Sequence, residues 1–309
     1  MIRKLLILLT LCSLGGYGLI RILSPYVRNE NVFVAASLDK ENRLKNTPAP
    51  RLVFVGGSNL ALGIDSRRVA AATGYTVTNM GIHAGLGLPF MLNEALHGTQ
   101  KGDLVVLSIE YFLDEGDNKL LAQLIDVNPR AKQYLSLSWL NEIRLLGQNL
   151  QRCMSGLFYK LLRGDATDPI YNRSGFTVEG DLKEHFGKPK PRRIGDDVTF
   201  LEMDYSENIQ RINAFVKAAK AREAVVVFTF PVFPASAYKR NQKAIQHLAK
   251  QYQNKLDCPI INTPATFVLP DQYFFDTVYH LDSLGVQERT TRMIDLLKLR
   301  QNILVGSNQ

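Results

Sequence analysis

Two separated motifs in this sequence contain the residue types that a serine nucleophile requires. The first is Gly56-Gly57-Ser58-Asn59, which directly follows an apolar segment. Its glycines permit a tight turn, and a helix beginning there would direct its positive end toward the Ser58 hydroxyl. A serine in such a turn can attack an ester carbonyl once a base removes its proton, and its own N–H can help to hold the oxyanion. Taken alone, the motif is more simply interpreted as a turn.

The second motif pairs an acid with an imidazole ahead of the last helical segment. Asp276 and His280 lie four residues apart, and an acid at such a site can fix the tautomer of a histidine. Asp282 follows closely and is more simply interpreted as the N-cap of the helix. The pair therefore supplies the groups that could activate a hydroxyl.

Two more polar motifs follow apolar segments. The loop of residues 79–87 is rich in glycine and could bring a backbone N–H to the same place, whereas His83 within it is ordinarily a packed loop residue. Glu110 and Tyr111 place an acid and a phenol after a third apolar segment. The simpler interpretation of that pair is a glutamate that faces solvent and a packed tyrosine.

The apolar segments have the composition of strands buried on both faces, which is typical of a parallel sheet. Predicted strands are residues 51–55, 76–80, 103–109, 224–230 and 259–262, and predicted helices are residues 66–73, 89–96, 207–222, 238–254 and 284–300. This alternation predicts an α/β fold, a three-layer α/β/α sandwich with a mainly parallel sheet. Because ligands bind beyond the carboxyl ends of parallel strands, the polar motifs would meet at one edge.

An insertion of about residues 114–205 divides this domain, which covers residues 51–309. Within the insertion, residues 139–162 have apolar side chains at helical spacing. Residues 164–200 are rich in glycine, proline and charge, and we expect them to form a long loop or cap. Long insertions are often binding loops or lids; a mobile surface excursion is an equally simple alternative.

The N-terminal sequence predicts attachment to a membrane. Arg3 and Lys4 precede an uncharged apolar stretch, residues 5–20, and no convincing small-residue cleavage site follows it. We predict that residues 1–24 are an uncleaved membrane helix, with a cleaved signal segment as the alternative. Residues 25–50 would then be a stalk. The positive residues place the N-terminus in the cytoplasm and the domain outside it, periplasmic or at the cell surface.

Composition and charge narrow the function classes. The chain has 309 residues, of which 46% are hydrophobic and 21% charged, and this excludes global disorder. The net charge of +8 is thinly spread, so we expect no nucleic-acid partner, while an anionic membrane or cell-wall polymer would suit it. No nucleotide-binding motif follows the first strand, and no Cys/His cluster has metal spacing, so no cofactor and no metal are predicted. Cys153 and Cys258 form the only possible disulfide outside the anchor.

Together the motifs resemble the SGNH (GDSL-like) hydrolase superfamily over about residues 51–112 and 207–300. The resemblance implies that Ser58 is the nucleophile, His280 the general base and Asp276 its partner. The anchor and the insertion lie outside it.

The same resemblance assigns the oxyanion glycine to Gly85, or to Ala84 if the loop is shifted by one residue. Gly57 stands where the family usually has Asp, Asp276 and His280 are one residue further apart than usual, and Ile109-Glu-Tyr-Phe112 stands in place of G-x-N-D. The residues expected to stabilise the oxyanion or bind substrate are Gly85, Glu110, Tyr111 and Asn59.

The resemblance implies a membrane-anchored serine esterase or O-acyltransferase outside the cytoplasm. It would act on acylated polysaccharide or a small ester through an acyl-enzyme, with water or a sugar hydroxyl as the acceptor. The alternative is a catalytically degenerate envelope protein that binds glycan or a membrane acyltransferase.

Overall fold

A parallel four-stranded sheet forms the centre of the fold in the computed structural model, which describes residues 2–111, 113, 115–135, 137–163, 168–195 and 197–306. The strands are β1 (Arg51–Val55), β2 (Thr76–Asn79), β3 (Leu104–Leu107) and β4 (Val225–Phe228), in the order β2-β1-β3-β4. In the centre, Phe54 of β1 pairs with Asn79 of β2 and with Val106 of β3. The predicted α/β class and parallel sheet are confirmed.

Helices precede, link and follow these strands. In chain order they are α1 (Ile2–Val27), α2 (Ala36–Asn46), α3 (Ser58–Ala61), α4 (Ser66–Thr73), α5 (Leu88–Gly98), α6 (Asn118–Val127), α7 (Trp139–Arg163), α8 (Ser206–Ala221), α9 (Ala235–Lys255) and α10 (Ser283–Gly306). The predicted helices of the domain are all present, and residues 66–73 coincide with α4. Helices α2, α3 and α6 are not predicted from the sequence.

Side chains of the strands alternate between two apolar layers, which explains why every residue of β1 is buried. Leu52 and Phe54 pack in a layer that includes residues of α4 and α10. Val53 and Val55 pack in the other layer, with residues of α5, α8 and α9. The sheet is therefore covered on both faces, as its continuous apolar strands predict.

The prediction of a strand at residues 259–262 is wrong, because within this segment only Ile260 forms a β-bridge, with Phe228. Beyond this bridge the side chain of Asn262 replaces backbone pairing. Its Oδ1 accepts the N–H of Phe230 at 2.7 Å, and its Nδ2 donates to the carbonyl of Phe230 at 3.2 Å. A separate two-stranded sheet is formed by β5 (Phe233–Pro234) and β6 (Val268–Leu269).

Residues 25–50 do not form the predicted stalk. After α1 the chain forms a 3₁₀-helix, Phe33–Ala35, and then α2, and both pack into the domain with buried residues. Lys40 of α2 is buried and donates to the carbonyls of Asn79 at 2.8 Å and Gly180 at 2.5 Å. The charged sequence of α2 predicts part of an exposed linker. The residues that pair with its buried charges are distant in the chain, so the sequence gives no sign that α2 is buried.

The insertion consists of a helical part and a part that covers the edge of the sheet. Its helical part contains α6, a 3₁₀-helix at Pro129–Tyr134, and α7, which confirms the predicted helix. After residue 168 the chain is mostly irregular, but its backbone is bonded to the domain. The N–H of Asn79 donates to Glu179 at 2.8 Å, and the N–H of Leu182 donates to Ala61 at 2.7 Å. This part therefore lies beside the carboxyl ends of β1 and β2.

Helix α1 is long and apolar enough to cross a membrane, and the described residues contain one such helix. Its C-terminal turns contact α6 and α7. The hydroxyl of Ser24 donates to Asp126 of α6, and Lys160 Nζ of α7 donates to the carbonyl of Tyr26 at 2.9 Å. Cys153 in α7 and Cys258 are not joined in the disulfide that the sequence allows.

Candidate active site

Ser58 is the first residue of α3, directly after the turn that ends β1. Ser58 is only 9% exposed and lines a cleft at the carboxyl edge of the sheet. The turn has no room for a side chain at Gly57, where a Cβ would lie 2.5 Å from Glu110 Oε1 and 2.8 Å from the backbone N of Ala84. This close approach requires glycine and presents Ser58 at the positive end of a short helix.

The carboxylate of Glu110 fixes the turn from the end of β3. Its Oε2 accepts the N–H of Gly57 at 3.0 Å, and its Oε1 accepts the N–H of Asn59 at 2.9 Å. The N–H groups on either side of Ser58 are thus occupied, whereas that of Ser58 has no acceptor among the described residues. Glu110 also lines the cleft, and its expected role in substrate binding stays a prediction.

Asn59 is fully buried beneath the turn, so its assignment to substrate binding is a correction. Its Nδ2 donates to the carbonyl of Ser108 at 2.9 Å, and its Oδ1 accepts from Arg289 at 2.7 Å. Arg289 of α10 also donates to the backbone carbonyl of Asn59 and to Ser108 Oγ at 3.0 Å. Burial lowers the pKa of this arginine to about 9. A buried fork of donors therefore anchors the turn from below.

His280 and Asp276 meet in the same cleft. His280 Nδ1 lies 2.8 Å from Asp276 Oδ1, so Nδ1 donates and Nε2 is left as the basic nitrogen. The hydroxyl of Tyr171, from the insertion, donates to Asp276 Oδ2 and lies 3.0 Å from His280 Nδ1. Burial acts to raise the pKa of Asp276, but the hydrogen bond and charge of His280, together with Tyr171, outweigh it and lower this pKa. Asp276 is therefore ionised at neutral pH.

The loop that carries His280 is held in place by bonds to its backbone. Buried His185, also from the insertion, has its Nε2 2.7 Å from the carbonyl of Leu281. Desolvation lowers the pKa of His185; the neutral ring donates from Nε2. The N–H of Gly195 donates to the carbonyl of Asp276 at 2.5 Å. The insertion thus positions both members of the pair, through side chains and backbone.

Of the two candidate oxyanion donors, Ala84 fits the geometry better than Gly85. The N–H of Gly85 donates to His83 Nδ1 at 2.9 Å, so it is already occupied. Ala84 lines the cleft with Ser58 and His280, whereas Gly85 lines a neighbouring polar pocket. The N–H of Ala84 has no acceptor among the described residues, and its nitrogen lies beside Gly57. The one-residue shift left open by the sequence therefore gives the better donor.

The cleft has a volume of about 780 Å³ and is lined by Ser58, Asp276 and His280, a size typical of small-molecule sites. Tyr111 forms part of its wall, with its ring 5.4 Å from that of Phe233; burial raises its pKa well above the usual value. Within the described chain, no hydrogen bond joins Ser58 Oγ to His280. In unliganded catalytic sites, the hydrogen bond between nucleophile and base is often long or poorly aligned.

No protein-family model and no curated protein sequence matches this chain. Its function is therefore inferred from the geometry of the cleft. Among the described residues, no group of three or more His, Cys, Asp or Glu side chains could hold a metal ion.

Three residues that matter to this geometry are absent from the sequence prediction: Tyr171, His185 and Arg289. Tyr171 and His185 lie in the insertion, where no motif distinguishes them from other residues. Arg289 lies on a helix with several other charged residues. Only the folded chain shows that Arg289 is fully buried, so no sequence signal could have identified it.

Proposed function

We propose that this protein is a serine esterase or O-acyltransferase and a divergent relative of the SGNH hydrolases. The main support is that one cleft contains Ser58, at the end of β1, together with the hydrogen-bonded pair of His280 and Asp276. These residues are distant in the sequence and carry the groups needed for nucleophilic acyl transfer. The parallel sheet with both faces covered and the resemblance in motifs support the same proposal.

In the first step the Ser58 Oγ proton passes to His280 Nε2 while Oγ bonds to the ester carbonyl carbon. The oxyanion accepts the N–H groups of Ser58 and Ala84, and loss of one such donor costs about 10²- to 10³-fold in turnover. The bond to the leaving alcohol then breaks, and this alcohol takes the proton from His280. Asp276 orients the ring and stabilises its charged form.

In the second step an acceptor hydroxyl gives its proton to His280 and attacks the acyl carbon. The bond to Ser58 Oγ breaks, and the serine recovers the proton. Water as acceptor gives hydrolysis, and a sugar hydroxyl gives acyl transfer. Both outcomes use the same residues, so the site does not distinguish hydrolysis from transfer. Acylated glycan is the substrate class that fits an enzyme outside the cytoplasm.

We also propose that α1 remains attached and spans the membrane, with the domain outside the cytoplasm. The first part of α1 is apolar and exposed, which suits lipid. Its last turns are part of the fold, because Ile20 and Ser24 are buried and the Ser24 hydroxyl donates to Asp126. Cleavage after residue 24 would remove the buried Ile20 and Ser24, so an uncleaved anchor fits the packing better than a signal segment.

A fluorophosphonate probe tests the nucleophile directly. The wild-type chain in detergent is expected to be labelled, and Ser58→Ala is expected to lose all labelling because the attacking oxygen is gone. Ser236→Ala, at an exposed serine of α9, is the matched control and should label as wild type does. Labelling that persists in Ser58→Ala would remove Ser58 from this role.

The second candidate, a degenerate envelope protein that binds glycan, is favoured by one observation. Ser58 Oγ makes no hydrogen bond to His280 within the described residues. If the gap persists in solution, wild type cleaves no ester and takes up no probe. Polysaccharide pull-down that survives both Ser58→Ala and His280→Ala would then support this candidate.

A further inference from the structure

Helix α7 has an apolar face that no described part of the chain covers. The side chains of this face recur at helical spacing, and each residue is more than half exposed: Trp139, Ile143, Met154, Phe158 and Leu161. On another side of the helix, Leu145 and Cys153 are buried. A helix on a water-soluble domain normally turns a polar face outward, and an exposed apolar face of this length marks a binding surface.

The position of α7 beside α1 indicates what covers this face. Tyr17 of α1 lines one groove with Trp139 and Ile143, near the start of α7. At the other end, Lys160 Nζ reaches the carbonyl of Tyr26 at 2.9 Å. Between these ends, a Cβ on Gly16 would lie 3.8 Å from Leu150 Cδ2, and one on Gly156 would lie 3.1 Å from Val27 Cβ. The two helices therefore run in the same direction, and the part of α7 before Leu150 lies beside the candidate membrane span.

The depth of α7 follows from the sequence of α1. Arg21 is the first charged residue after the apolar stretch, so it marks the boundary with the headgroups. Tyr17 lies about 6 Å deeper, at 1.5 Å per residue. Gly16 is one residue deeper still and lies beside Leu150 of α7, since a Cβ on Gly16 would be 3.8 Å from Leu150 Cδ2. Trp139 comes eleven residues before Leu150, so it lies on the acyl-chain side of that level.

The cleft opens close to the same level. Asn29 and Asn31 line it, and they follow Val27, the last residue of α1. Helix α7 also carries the exposed Arg144, and basic residues at a membrane surface favour anionic headgroups. The catalytic groups are therefore held near the bilayer surface and not at the end of a stalk.

We infer that α7 lies in the outer leaflet beside α1, with its apolar face in lipid, and that the cleft receives a lipid-carried substrate. The substrate class is an acyl ester or acceptor sugar attached to a membrane lipid. This class rests on the proposed esterase or acyltransferase function. The position of α7 rests on the packing of two helices and on the exposed face.

Trp139 is the single tryptophan of the chain, so its fluorescence reports the position of α7 in the full-length protein. In vesicles of phosphatidylcholine and phosphatidylglycerol we expect blue-shifted emission, strong quenching by lipids brominated on the acyl chain, and at least about threefold less quenching by acrylamide than in the denatured chain. The variant Trp139→Phe with Phe158→Trp should be quenched less by acyl bromines, because residue 158 lies nearer the end of α1.

Two outcomes of this measurement would overturn the inference. Full access of acrylamide to Trp139 would show that α7 lies in water. Protection from both acrylamide and brominated lipid would show that protein, a second copy or another partner, covers the face. Neither outcome depends on catalysis, so each is distinct from failure of the proposed function.

The substrate class is tested with two fluorophosphonates on the same vesicles, one carrying a lipid tail and one short and polar. We expect Ser58 to react at least about tenfold faster with the lipid-tailed probe. Ile143→Asn with Leu161→Asn should reduce this preference, whereas Val178→Asn, exposed on the insertion, should leave it unchanged. Equal rates would overturn a lipid-carried substrate; no reaction with either probe would instead contradict the proposed function.

Discussion

At the scale of single residues, the dependence of Gly57 and Glu110 on each other is apparent only from the structure. In the sequence they are two separate departures from the motifs of the SGNH hydrolases. In the fold, a Cβ on Gly57 would lie 2.5 Å from Glu110 Oε1, so the glutamate occupies the space of a side chain at 57. The carboxylate from β3 then accepts two N–H groups of the turn. A glutamate at position 110 therefore requires glycine at position 57.

Tyr171→Phe is expected to weaken the pair of His280 and Asp276 without removing either member. The tyrosine hydroxyl donates to Asp276 and helps to lower its pKa, and a hydrogen bond to a charged group contributes about 1.5–3 kcal/mol. Labelling of Ser58 by a fluorophosphonate should slow by about tenfold. Because Tyr171 positions the pair through Asp276, the effect should be small in an Asp276→Asn background.

The same variant should show a pH-dependent loss of stability. A carboxylate with a lowered pKa stabilises the fold above its unfolded pKa, here near the usual 3.8, and this contribution disappears as pH falls through the folded value. Thermal unfolding should therefore show a deficit for Tyr171→Phe at pH 7 that narrows below about pH 4. An equal deficit at all pH values would show that only packing of the ring is involved.

At the scale of elements, apolar sequence predicts structure well and buried charge does not. The strand Arg51–Val55 is predicted without error, since five buried residues in succession leave few alternatives. Helix α2 is missed because it carries Lys40 and Glu41, both buried. Their partners include Asn79, Gly180 and Tyr134, which lie far along the chain. A single sequence contains no signal for such long-range pairing.

Glu94 of α5 is expected to cost the fold stability in a way that depends on pH. It is buried, and its Oε1 has no hydrogen-bond partner among the described residues. Desolvation and then the charge of Glu41 raise its pKa to about 8, although Lys40 opposes this. From about pH 4.5 to 8 the unfolded chain releases a proton that the folded chain keeps, so the stability contributed by Glu94 falls as pH rises.

Glu94→Gln removes this proton uptake. The gain in the free energy of unfolding should grow from about pH 4.5 to about pH 8 and then level off, which denaturation at several pH values can measure. Glu207→Gln, at an exposed glutamate of α8, serves as the control and should show little pH dependence. A gain that stays constant across this range would contradict the raised pKa of Glu94.

At the scale of the whole molecule, the site combines parts that the sequence locates to different degrees. Ser58, His280 and Asp276 could be proposed because each is next to a predictable strand or helix. The contribution of the insertion could not, since Tyr171 and His185 reach the pair only through folding of an irregular segment. The insertion is neither a free excursion nor a separate lid; it is built into the site.

The orientation of the whole chain gives the last prediction. Arg3 and Lys4 before the apolar stretch should keep the N-terminus of α1 in the cytoplasm, and the domain that follows then folds on the other side. Alkaline phosphatase fused after Gln309 should be active, because it needs the oxidising exterior, while green fluorescent protein exported unfolded to the same place should remain dark. A fluorescent fusion with inactive phosphatase would place the cleft in the cytoplasm. That result would remove exported glycans as substrates and would place α7 in the inner leaflet instead of the outer one. The chemistry of Ser58 would stay open to its own test, since it does not require a particular side of the membrane.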